Sequence, residues 1–109
     1  MGESLNDQER AKLKADAIKR LRNQVADLER SLELHRERLE QRGERLLKPP
    51  ILRELFADAV RDLRRAGADV SDWYLRPPHL DKGQIDASTL LSDIKCVLSE
   101  VEQNPSRTG

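Results

Sequence analysis

Residues 11–46 read AKLKADAIKRLRNQVADLERSLELHRERLEQRGERL, without a proline and with apolar side chains returning at alternating steps of three and four. Placed on a heptad, Ala11, Ile18, Val25, Leu32, Leu39 and Leu46 fall at a, and Lys14, Leu21, Leu28, His35 and Arg42 fall at d. Two positions in seven make a narrow stripe, which is the geometry of a coiled-coil seam rather than of a helix lying broadside on a globular core. One unbroken helix of about 40 residues, rising ~1.5 Å per residue, would be a rod roughly 60 Å long. Such a rod calls for a partner rod. Residues 1–48 are therefore expected to form a dimerisation helix with Ile18, Leu21, Val25, Leu28, Leu32, His35 and Leu39 as its seam. Ile18 and Val25 at a with Leu21 and Leu28 at d favour a parallel two-stranded coil, while His35 and Arg42 relax that preference. Antiparallel pairing, or a later helix folding back on the rod, stays open.

Composition points the same way. Of 109 residues, 37% are hydrophobic and 37% charged, and aromatic residues make up only 3%, poor material for one deep core and good material for long helices that associate. Twenty basic and twenty acidic side chains cancel, so bulk charge selects neither nucleic acid nor an anionic membrane. The charge is unevenly spread. Residues 10–22 carry Arg10, Lys12, Lys14, Lys19, Arg20 and Arg22 against Asp16, a net +5, whereas the chain beyond Arg65 is net acidic. A single cysteine cannot form an internal disulfide, and neither a secretory signal nor a run of ~20 apolar residues is present, so a cytoplasmic location is expected.

Lys48-Pro49-Pro50 ends the first helix, because proline disfavours a helical residue before it and cannot donate to the helical ladder. Pro50 suits the first turn of a second helix over 51–66, whose broader stripe of Ile51, Leu52, Leu55, Phe56, Ala59, Val60 and Leu63 is of globular type and which Gly67 closes. Residues 68–85 form a long connection containing Trp73 and Tyr74, then Pro77-Pro78, and long connections are commonly functional. Asp86 or Ser88 caps a third helix to about Glu102, with Leu90, Leu91, Ile94, Val97, Leu98 and Val101 on its apolar face. Residues 49–103 are thus expected to be a small helical module with Leu52, Leu55, Phe56, Val60, Leu63, Leu91, Ile94 and Leu98 in its core, and 104–109 a tail. No strand pattern is visible. The fold class expected is all-α: a long N-terminal coiled-coil helix and two shorter helices, forming a bundle on dimerisation.

Catalytic chemistry finds little to work with. Two histidines, one cysteine and no glycine-rich phosphate loop offer no nucleophile with its base, and His79 beside Asp81 lacks the further ligands of a zinc site. No catalytic residue, metal or cofactor is assigned. Trp73 and Tyr74, the only Trp and Tyr, join large contact area to a polar handle. They serve either as a plug over Phe56 or as a partner contact, and one can face each way. The expected function is a non-enzymatic homodimeric protein–protein interaction module, an adaptor, inhibitor or assembly factor acting by steric or scaffolding means. The alternative is a dimeric nucleic-acid-binding regulator using Lys12, Lys14, Lys19, Arg20 and Arg22. A basic stretch at the head of a heptad run resembles the layout of basic-zipper proteins, although the asparagine-alanine-arginine pattern that reads bases in that family is missing.

Overall fold

The computed structural model describes residues 6–75 and 83–103. The Pro77-Pro78 step, the His79–Asp81 pair and the tail at 104–109 lie outside the described residues. The chain is all-α, with helices α1 (Asp7–Leu34), α2 (Arg36–Arg42), α3 (Ile51–Arg65) and α4 (Ala87–Gln103), a 3-10 turn at Asp72–Leu75, and a two-stranded antiparallel bridge of β1 (Leu47–Lys48) with β2 (Ile85–Asp86).

Local signals explain the helix ends. The Asn6 side chain accepts a hydrogen bond from the Glu9 N–H at 2.7 Å, satisfying one of the unpaired donors of the first turn of α1, where Asp7 and Glu9 also complement the helix dipole. At the end of α3, Gly67 takes φ 90°; its N–H donates to the Arg64 carbonyl while that of Ala68 reaches back to Leu63, a Schellman closure. Asp86 caps α4 by accepting from the Ser88 N–H at 2.9 Å.

The first helix is shorter than its heptad pattern. The backbone breaks at His35, which has φ −107° and ψ 9°, and resumes as α2 until Gly43 turns left-handed at φ 62°. The unbroken helix to Leu46 is therefore corrected to two pieces. The physical reason is loss of cover. Lys48 Nζ reaches Ser31 Oγ at 3.1 Å, which places the start of α3 beside the end of α1, and beyond that level α2 buries no residue.

The stripe on α1 is covered by its own chain. Arg20 pairs with Asp62 near the end of α3, and the Gln24 amide donates to the Leu52 carbonyl near its start, so α1 and α3 run antiparallel. Arg22 with Glu102 and Glu29 with Lys95 set α4 antiparallel to α1 in the same way. α3 and α4 thus lie side by side with α1 across them. Leu21 and Leu28 face the groove, Ala17 joins them, and all three are buried together with Phe56, Ala59, Val60, Leu63, Leu90, Ile94 and Val97. The half-buried Ile18, Val25 and Leu32 border this core. The seam residues Leu21 and Leu28, expected to meet a second rod, meet α3 and α4 instead.

The bridge was absent from the sequence reading. Leu47 stands opposite Asp86 and Lys48 opposite Ile85, and the Ala87 N–H donates to the Leu46 carbonyl at 2.8 Å, tying together the starts of α3 and α4. Lys48 is extended because Pro49 follows it.

Candidate interaction surfaces

Tyr74 is packed in by α3 and α4. Its ring meets Phe56 edge to face at 6.0 Å between centroids, and burial, with Glu100, Cys96 and Asp93 nearby, pushes its phenol above the ordinary value. Those α4 side chains lie on the flank opposite Lys95 and Glu102, which meet α1. The 3-10 turn therefore closes the α3–α4 groove on the side away from α1. Trp73 stands edge-on to Tyr74 at 5.1 Å and is 52% exposed, whereas Tyr74 is 9% exposed. The pair divides the two roles weighed for it: Tyr74 is the plug, and Trp73 is presented outward.

Beneath the turn sits a polar anchor that the sequence did not announce. Arg53 Nη1 donates to Asp93 at 2.9 Å and Nη2 to the Tyr74 carbonyl at 3.2 Å, with the guanidinium 4.9 Å from the Phe56 ring centre. The two charged side chains are only 12% and 16% exposed. Arg53 is thus a structural clamp that fixes the turn carrying Trp73, not a free cation. An arginine two residues after a helix start gives no hint in sequence of an aspartate forty residues later.

The basic residues considered for nucleic acid are partly committed elsewhere. Arg20 pairs with Asp16 and Asp62, and Arg22 pairs with Glu102. Lys14 is half-buried and also engaged. Lys12 and Lys19 are exposed. Among the described residues no group of three His, Cys, Asp or Glu side chains is arranged to hold a metal ion, and no described helix is long and apolar enough to cross a membrane. Cys96 is a free, exposed thiol.

Of the expected module core, Phe56, Val60, Leu63, Leu91 and Ile94 are buried, and Leu52 and Leu98 pack partly against them. Leu55 is the exception and is corrected to the surface at 49% exposure. It sits one turn from Ile51, itself exposed, on an edge of α3 rotated away from Phe56, Ala59, Val60 and Leu63. Nearby, a cleft of about 70 Å³ opens between α1 and α3, lined by Gln24, Asp27, Leu28, Ser31, Lys48 and Leu52. Of these, Leu28 was expected in the dimer seam and Leu52 in the module core, whereas Gln24, Asp27, Ser31 and Lys48 were not singled out from sequence. His35 and Leu39 are half-buried at and beyond the helix break.

Comparison of the chain with protein-family models, curated proteins and solved structures returned no match.

Proposed function

We propose that the chain is a non-enzymatic protein–protein interaction module that self-associates as a homodimer and presents Trp73 to a further protein, as an adaptor, inhibitor or assembly factor does. The observation that carries this reading is the placement of Trp73. A large aromatic ring is held outward by a buried neighbour and an internal clamp, so its exposure is rigid, and a rigid aromatic loses little conformational entropy on contact. A cytoplasmic setting accords with the lone free thiol. Scaffolding needs no catalytic group, only surfaces held in fixed relation.

The test is affinity capture from the native host, with nuclease-treated controls, comparing the unaltered chain with Trp73→Ala. The variant is expected to keep its helicity and lose a protein partner. Undiminished capture by W73A, or loss of helicity, overturns the role given to Trp73. The nucleic-acid reading has less support because Arg20 and Arg22 are held in intramolecular pairs. It would regain ground if the chain bound duplex DNA in a salt-dependent way that neutralising Lys12 and Lys19 abolished.

A further inference from the structure

On the flank away from α4, α1 and α3 set two stripes side by side. Arg20, Gln24, Asp27, Ser31 and Leu34 follow one another at helical steps on α1, as do Ile51, Leu55, Asp58 and Asp62 on α3. The contacts Arg20–Asp62, Gln24–Leu52 and Ser31–Lys48 fix the stripes in antiparallel register, with the 70 Å³ cleft between them over Leu28 and Leu52. One end of this face is charged and internally paired. The other is apolar: Leu34, Ile51 and Leu55 are three of the four large hydrophobic side chains exposed among the described residues. Neither helix can rotate to hide them, because Leu21 and Leu28 on one and Phe56, Ala59, Val60 and Leu63 on the other are already buried inside.

We infer that a second copy of this chain covers this face about a two-fold axis, so that α1 and α3 of both copies form a four-helix bundle. The inference rests on the self-association proposed above and gives it a location. A two-fold interface must be complementary to itself, and this face can be. It carries the exposed Leu55 and Ile51 beside a cleft lined on its apolar side by Leu28 and Leu52. It also has a carboxylate, Asp27, and an ammonium, Lys48, on the rim of the same cleft, with no ion pair to either among the described residues. Rotation about an axis at the cleft brings Asp27 of each copy toward Lys48 of the other. A strongly acidic or basic partner would find no matching field here, because the remaining charges Arg20, Asp62 and Asp58 are bonded within the chain. The footprint is about 22 Å long and two helices wide, on the order of 450 Å² before corrugation. That is at the small end for a specific contact, so the dimer is expected to be reversible and to dissociate on dilution.

The experiment is sedimentation equilibrium of the full chain over a dilution series from roughly 100 µM, with circular dichroism of every variant. The unaltered chain is expected to approach twice its 12.5 kDa mass at the concentrated end. Leu55→Glu, at an exposed position, should keep its helicity and weaken the dimer by about tenfold or more, while Trp73→Glu on the other flank should leave it unchanged. D27K and K48D should each weaken association alone, and an equimolar mixture of the two variants should restore it, because only a heterodimer sets opposite charges across the axis. A dimer insensitive to L55E and to both charge reversals overturns the location and leaves self-association standing through another face. A chain monomeric throughout the series overturns both.

Discussion

At the scale of single residues, burial decides which interactions matter. Arg53 and Asp93 are almost out of water, and removing one partner strands the other charge, so Asp93→Ala is expected to destabilise the fold by about 3–5 kcal/mol in urea denaturation. Replacing both by apolar residues of similar volume should recover most of that loss, because no charge is then left unpaired. The Arg22–Glu102 pair has the same chemistry but lies in solvent, and Glu102→Ala should change stability by less than about 1 kcal/mol. Tyr74 supplies a pH signature. Its phenol is raised chiefly by burial, then by Glu100, Cys96 and Asp93, so the unfolded chain releases this proton at lower pH than the folded one. Its contribution to stability is complete below the unfolded value of about 10 and is lost as pH rises through the higher folded value. Since Tyr74 is the only tyrosine, phenolate absorbance follows it alone. The midpoint should be higher in the folded chain than in denaturant and fall part of the way back in Glu100→Gln.

At the scale of elements, packing separates α1 from α2 although one heptad runs through both. Leu21 is fully buried, and Leu21→Ala should cost about 2–5 kcal/mol. α2 buries nothing, so amide exchange over residues 36–42 should be faster than in the centre of α1 by about tenfold or more. Equal protection across His35 would show that α2 is covered by something this chain does not supply. Much of this level was legible in the sequence. Pro50, Gly67 and Asp86 mark helix ends by local chemistry, and local chemistry is what a sequence displays. The bridge was not legible, because two residues are too few to show a period of two, and neither strand has a propensity that distinguishes it from a loop.

At the scale of the whole molecule, periodicity names a buried face without naming what buries it. Leu21 and Leu28 recur at seven residues whether a second rod or a pair of shorter helices lies against them, so the heptad could not choose between coiled coil and intramolecular bundle. The choice rests on contacts far apart in sequence, such as Arg20 with Asp62 and Lys95 with Glu29. The surfaces divide similarly. Trp73 was recognisable as a contact residue by type, but its outward placement depends on Arg53 and Phe56, which only the fold brings beneath it. The Leu34, Ile51 and Leu55 edge was hidden because Leu55 read as core and Ile51 as part of the same apolar stripe; the core stripe of α3 is narrower than its apolar stripe. A chain ending at Asp86 lacks one wall of the groove that receives Leu21 and Leu28. It should lose cooperative thermal unfolding by circular dichroism, whereas a sharp transition in that fragment would mean that α4 is dispensable to the core.

The order of pairing along the chain also matters while the protein is being made. α1 is synthesised before α3 and α4, and Glu102, a charged contact of α1, follows about 70 residues behind the end of α1; at the ~5–20 residues per second of translation that is roughly 3–14 s. Throughout that interval Ala17, Leu21 and Leu28 have no α4 to close over them. Ribosomes following one another on a message would hold several such stripes close together, and for those seconds the heptad seam is open to neighbouring nascent chains.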